Sequence, residues 1–133
     1  MEVITNSEKE TLDVAYELAS KIEKNTVICL NGELGAGKTV FVRGFCSFFG
    51  INEISSPTFT LVNEYEGNKK VFHFDVNRLA DEYEFYAIGG EEYFENGICI
   101  VEWSDIIKDV IPKDAIDVRI YKLDDNVRKI IIE

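Results

Sequence analysis

Between Thr26 and Phe49 the chain passes from a wholly apolar run, through a glycine-rich turn, into a helical pattern, and this junction limits the possible folds more than any other feature. Thr26-Val27-Ile28-Cys29-Leu30 has the composition of a short strand buried on both faces. Gly32-Glu33-Leu34-Gly35-Ala36-Gly37-Lys38-Thr39 comes next and fits G-x-x-x-x-G-K-[ST] at every position. Val40, Phe41, Phe45, Phe48 and Phe49 then recur as on a helix, with Gly50 placed to end it. Glycines let the backbone wrap closely and turn successive N–H groups toward phosphate oxygens. The helix starting here directs the positive end of its dipole at the same oxygens. Lys38 has the reach for β- and γ-phosphates, and the Thr39 hydroxyl is a ligand for Mg²⁺. Residues Gly32 to Val40 are therefore read as binding a nucleoside triphosphate.

Charge makes that loop necessary. The net charge is -11, from 25 acidic against 14 basic residues. Such a surface repels phosphate backbones at long range, which disfavours autonomous binding of DNA or tRNA. An anionic ligand has to be held by local geometry. The chain has one histidine and three cysteines (Cys29, Cys46, Cys99) without a CxxC pair, so a zinc site is not expected and the thiols read as reduced and buried. No apolar run approaches the roughly 18 residues that span a bilayer. No basic start leads into an apolar core at the N-terminus, so the expected location is cytoplasmic, with no membrane.

The 133 residues, 46% of them hydrophobic, suit one domain over 1–133 with a single core. Ser7 followed by Glu10 is a capping-box signature, and Leu12, Ala15, Leu18, Ala19 and Ile22 continue it as an amphipathic helix to about Lys24. Phe59 to Tyr65 and Val71 to Asp75 read as a hairpin around Glu66-Gly67-Asn68. Asp81 to Ile88 reads as a helix broken by Gly89-Gly90, and Ile98-Cys99-Ile100-Val101 as a second buried strand. A short helical segment closes at Pro112. Ala115 to Leu123 and Val127 to Ile132 form a last hairpin around Asp124-Asp125-Asn126. Alternating strands and helices early, with hairpins later, predict an α/β fold of three layers around a mixed parallel/antiparallel sheet.

A phosphate loop needs a metal-associated carboxylate, usually at the end of an apolar strand. Asp75 ends an interrupted apolar run and Glu102 an uninterrupted one, so spacing favours Glu102; either residue also fits an ordinary charge at a strand end. His73 lies opposite Phe72 and Phe74 by strand alternation and reads as a structural, hydrogen-bonded histidine. Trp103 reads as core or a partner contact. Ser55-Ser56-Pro57-Thr58 is either a Ser/Pro turn or a switch segment sensing phosphate and metal, with Thr58 offering a hydroxyl.

Taken together these motifs resemble the TsaE family, the small ATPase of bacterial tRNA threonylcarbamoyladenosine synthesis. The loop Gly32–Thr39 and Phe41-Val42-Arg43-Gly44-Phe45 resemble its phosphate loop and following helix, and Ser56-Pro57-Thr58-Phe59-Thr60-Leu61-Val62 resembles its switch. His73-Phe74-Asp75 with Arg78-Leu79, and Val101-Glu102-Trp103, resemble its second and third motifs. The resemblance implies the P-loop NTPase fold, ATP and Mg²⁺. It implies metal binding by Thr39 and Glu102 with Asp75 nearby, catalytic roles for Lys38, Asp75 and Glu102, Thr11 near the base and Arg128 near the nucleotide. It also implies TsaD-like and TsaB-like protein partners. Asn77 departs from it, standing where the family commonly has an aromatic residue, and the segment before Pro112 is short. The expected activity is partner-stimulated ATP hydrolysis. A nucleotide-gated, non-catalytic binding module and a small-molecule kinase are the alternatives, the latter disfavoured because little chain is left for an acceptor pocket or an arginine-bearing lid.

Overall fold

The computed structural model describes residues 1–57 and 60–133. Its strands are β1 (Glu2–Thr5), β2 (Val27–Gly32), β3 (Val62–Glu66), β4 (Lys70–Asp75), β5 (Ile98–Glu102), β6 (Ile116–Lys122) and β7 (Arg128–Ile132). They form one seven-stranded sheet in the order β1-β7-β6-β2-β5-β4-β3. The inner four, β6, β2, β5 and β4, run parallel, while β3, β7 and β1 add antiparallel edges. The expected mixed sheet is present.

Side-chain alternation on the parallel strands produces two cores. Ile28, Leu30, Val71, Ile98 and Ile100 face α1 (Glu8–Ser20) and α2 (Lys38–Ser47). Val27, Cys29, Phe72, Phe74, Cys99 and Val101 face the other way, toward Phe85 of α3 (Glu82–Ala87) and Tyr93 and Phe94 of α4 (Tyr93–Asn96). Strands covered on both sides have no polar face, which explains why β2 and β5 read as continuous apolar runs. Each fully buried Ile, Leu or Phe contributes about 1.5–3 kcal/mol through burial.

Helix α1 starts as its sequence indicates. The Ser7 hydroxyl accepts from the Glu10 N–H at 3.1 Å, and the Glu10 carboxylate accepts from the Asn6 N–H at 2.9 Å, one residue earlier than in a standard capping box. The helix ends at Ser20 and not near Lys24, because the periodic Ile22 packs into the core from the turn that follows. Helices α1 and α2 meet backbone to backbone: a Cβ on Gly44 would lie 2.5 Å from the Leu12 carbonyl oxygen. This contact sets the spacing of α2 from α1. At the other end, Gly50 closes α2 as expected, with the Ile51 N–H reaching back to the Cys46 carbonyl at 3.1 Å.

Beyond the end of α1, other elements differ from the sequence reading, and α4 has no counterpart in it. The terminal strand β1 lacked a signal of its own, since four residues of mixed polarity become a strand only by pairing with β7. Strand β3 begins at Val62, not Phe59: Leu61 turns at φ 68°, and its carbonyl accepts from the Asp75 N–H at 2.9 Å. Phe59 itself lies outside the described residues. The helical segment before Pro112 is a 3₁₀ turn at Ser104–Ile107. No helix among the described residues is long and apolar enough to cross a membrane.

All three cysteines are free and buried. Burial pushes the Cys46 and Cys99 thiols from 9.0 up to about 12. Between those values the folded chain keeps protons that the unfolded chain has lost, so stability is intact below pH 9.0 and falls as pH rises toward 12, by up to about 1.4 kcal/mol per pH unit per thiol. Denaturant midpoints measured from neutral pH to pH 11 should show this decline, reduced in a Cys46→Ala/Cys99→Ala variant. Equal slopes in the two proteins would contradict it.

Candidate functional site

The parallel register places the carboxyl ends of β2, β5 and β4 side by side: Leu30 stands opposite Glu102, and Glu102 opposite Asp75. Ligands of open α/β sheets bind at this edge. Here β2 runs out into the glycine loop, which doubles back into α2. Gly35 and Gly37 take φ values of 82° and 106°, a region that side-chain-bearing residues avoid. The turn is pinned by the Ala36 N–H on the Glu33 carbonyl at 3.0 Å and by Ala36 itself, which is buried in the core.

The helix that follows differs from its neighbours. Helices α1 and α3 are capped by the Ser7 and Asp81 side chains and carry acidic residues in their first turns. Helix α2 begins at Gly37 with no side-chain cap and no acidic residue in its first turn. Its leading N–H groups thus face the loop without an internal counter-charge, as an anion site requires.

A cleft of about 630 Å³ opens over this helix end, lined by Gly35, Gly37, Lys38, Thr39, Val40 and Arg128 on one side and by Ser56, Asp75, Asn77, Glu102 and Trp103 on the other. The residues selected from the sequence therefore converge. Leu34 also lines it, 97% exposed at the lip. Gly32 and Glu33 border an adjoining hollow that shares Lys38 and Trp103 with the cleft. Thr11 lines a smaller hollow of about 110 Å³ that shares Gly37, Val40 and Arg128 with the cleft, and its hydroxyl pairs with that of Thr5 at 2.8 Å. Pro57 is buried, and its carbonyl accepts from the Thr60 and Leu61 N–H groups. Thr58, the proposed switch hydroxyl, lies outside the described residues.

The charged groups of the cleft form a chain. Lys38 Nζ sits 3.5 Å from Glu102 Oε1, and the other carboxylate oxygen, Oε2, lies 2.5 Å from His73 Nε2. Lys38 and Glu102 side chains are each 10% exposed, and His73 is 1% exposed. An ion pair so deeply placed holds only if its remaining hydrogen-bonding capacity is met, and His73 meets it. His73 is thus buried and hydrogen-bonded, with Glu102 as the partner that strand alternation alone did not name. Trp103 stands at φ 63° with its ring 5.1 Å from Lys38 Nζ, a cation–π contact. The adjacent Ser104 is locked to Asn31, its N–H and hydroxyl meeting the Asn31 amide at 3.3 and 3.0 Å. Asp75 is oriented by the Asn77 main-chain N–H at 3.0 Å. That bond does not use the Asn77 side chain, so the departure at Asn77 leaves the carboxylate in place.

Thr39, Asp75 and Glu102 offer a hydroxyl and two carboxylates to one cleft. Among the described residues no group of three or more His, Cys, Asp or Glu could hold a metal unaided. This donor set fits Mg²⁺, which keeps several waters and is usually held by one or two carboxylates together with substrate phosphates. Residues that sequence reasoning missed here are Asn31 and Ser104, which tie the ends of β2 and β5, and Tyr65 and Asn63. Tyr65 and Asn63 fasten Ser55 by hydrogen bonds of 2.8 to 3.2 Å. Polar residues on an edge strand carried no sign of that contact.

The comparisons with known proteins come down on one family. Residues 5–130 match the family described as Threonylcarbamoyl adenosine biosynthesis protein TsaE. A tRNA threonylcarbamoyladenosine biosynthesis protein TsaE of Aquifex aeolicus is 42% identical over 133 residues, covering 97% of this chain and 92% of that protein. The protein of the same name from Bacillus subtilis is 39% identical over 129 residues, covering 95% and 80%. The crystal structure of Bacillus subtilis YdiB superposes with a TM-score of 0.83 at 33% identity, covering 98% of this chain and 82% of that one.

Removing the His73 donor would leave a carboxylate buried beside a single cation. His73→Leu is expected to lower stability by about 2 kcal/mol in denaturant unfolding, and His73→Gln, which retains a donor near the Nε2 position, by less. Equal losses in both variants would show that the bond to Glu102 is not what His73 contributes.

Proposed function

The chain belongs to the TsaE family of threonylcarbamoyl adenosine biosynthesis proteins, and from that premise we propose that it binds ATP with Mg²⁺ and hydrolyses it. The hydrolysis supports tRNA N6-threonylcarbamoyladenosine modification, a cytoplasmic process, through a complex of TsaD-like and TsaB-like proteins. In this reading residues 1–133 form one domain of the P-loop NTPase class. The observation that carries it is the convergence of the uncapped start of α2, Lys38, Thr39, Asp75 and Glu102 on one cleft.

The triphosphate lies along Gly32 to Val40, with N–H groups of the loop and of the first turn of α2 donating to its oxygens. Lys38 leaves Glu102 and moves onto the β- and γ-phosphates. Thr39 and Glu102, with Asp75 beside them, would hold Mg²⁺, whose chemistry there would be charge neutralisation at the phosphate oxygens. Asp75, held by the Asn77 N–H, is suited to orient the attacking water, and Glu102 keeps the His73 bond throughout. The hollow lined by Thr11 and Val40 takes the base.

Among the described residues lining the cleft the cations are Lys38 and Arg128, and the Arg128 guanidinium donates to main-chain carbonyls, Ala36 at 2.8 Å among them. Arg43 pairs with Glu8 at 3.4 Å and is not among the cleft residues. Arg78, which follows Asn77 of the cleft, is likewise not among the cleft residues, so in this reading a partner supplies the arginine for the γ-phosphate, which favours slow turnover by the chain alone. The acidic surface points the same way, to action on a protein complex and not on tRNA directly.

The test is phosphate release from ATP by the wild type and Lys38→Ala, each with and without TsaB and TsaD. Release should rise with the partners and drop about a hundredfold or more in the variant. Turnover of about 10 per second by the chain alone would overturn the partner dependence, and undiminished release by Lys38→Ala would overturn the site.

A further inference from the structure

One charged side chain at the cleft is spent in a way that nucleotide contact does not explain. The Arg128 guanidinium, at the first residue of β7, donates from Nε to the Ala36 carbonyl at 2.8 Å. From Nη1 it donates to the Asp124, Asp125 and Val127 carbonyls at 2.8, 3.1 and 3.2 Å, and Nη2 lies 3.5 Å from the Gly35 carbonyl. Its Nε faces the glycine loop and its Nη1 the β6–β7 hairpin turn.

The Ala36 bond bears on phosphate chemistry through peptide geometry. The carbonyl of one residue and the N–H of the next share a plane and point in opposite directions in a trans peptide. Holding the Ala36 carbonyl toward Arg128 therefore aims the Gly37 N–H the other way, into the hollow of the loop. The preceding peptide has a tether of its own, the Ala36 N–H on the Glu33 carbonyl at 3.0 Å. The Ala36–Gly37 peptide is flanked by a glycine at φ 106°, which tolerates either sign of φ and so permits a flip at little steric cost. A rigid planar fork anchored to a hairpin opposes that flip, which the single point donor of a lysine would not.

We propose that Arg128 is a positioning residue: it clasps the glycine loop to the β6–β7 hairpin and so holds the Gly37 N–H toward the phosphate, acting through the loop. This deepens the reading above and rests on the loop being a phosphate cradle. Its Nε and Nη1 donors are committed to main-chain carbonyls, while Nη2 makes only the 3.5 Å approach to Gly35. The hairpin turn thereby becomes part of the phosphate site.

Arg128→Lys separates the two roles, because it keeps the charge and loses the fork. Calorimetry with ADP and with ATP should show affinity lower by about tenfold or more, by the same factor for both nucleotides and at low and high salt. In ¹⁵N spectra without nucleotide, the Gly37 amide of the variant should shift or broaden while resonances of α1 stay in place. Near-native affinity in Arg128→Lys, a loss confined to ATP, or an unmoved Gly37 amide would overturn the proposal. A wild-type measurement stands even if the variant folds poorly. The ¹H–¹⁵N NOE of Gly37 should equal that of α2, and a value typical of a mobile loop would also overturn the clasp. If the wild type binds neither nucleotide, the cradle itself is wrong, while the NMR comparison still decides whether Arg128 orders the loop.

Discussion

Between Gly32 and Lys38 the chain leaves a strand covered on both faces and enters a helix whose first N–H groups have no internal acceptor. Everything else at the site depends on how firmly that junction is held. The sheet holds one end, because β2 lies between β5 and β6. The backbone contact of Gly44 with Leu12 holds α2 against α1. Arg128 holds the outer rim. A phosphate-binding loop is useful only if its amides already point inward, since each amide reoriented on binding subtracts from the affinity gained.

The electrostatics follow from the same junction. A chain at -11 offers a triphosphate no long-range attraction. What attraction exists is local: the helix end, the buried ammonium of Lys38 and the charge of Arg128. Lys38 is kept in place by Glu102 and the Trp103 ring, and Glu102 is kept in place by His73. This arrangement stores a cation at the cleft without exposing an unpaired charge. It also places the carboxylate suited to a metal within reach of the group that must first let go of it.

The parts legible in the sequence were those governed by local rules. The apolar runs of β2 and β5, the Ser7 cap, the glycine loop and the hairpin of β6 with β7 all depend on neighbours within a few residues, and all are present. Glu102 could be preferred over Asp75 as the end of an unbroken strand, and the structure brings both to the same cleft. The parts that were not legible depend on pairing across the fold. Strand β1 exists through β7, His73 finds Glu102 across 29 residues, and Arg128 finds Ala36 across 92. Thr11 and Arg128 were reached only by resemblance, because a threonine in a first helical turn and an arginine on a terminal strand carry no chemical signal of their own. The start of β3 was placed too early because the apolar run of Leu61 and Val62 hides a turn that supports the end of β4.

The central claim is that a loop of inward-facing amides with one ammonium group captures a triphosphate against the charge of the whole protein. Titration of the purified wild-type chain with Mg-ATP in a calorimeter tests it most directly. The account predicts a saturable heat with one nucleotide bound per chain. Absence of binding heat at two well-separated temperatures, with no displacement of a fluorescent nucleotide, would contradict it.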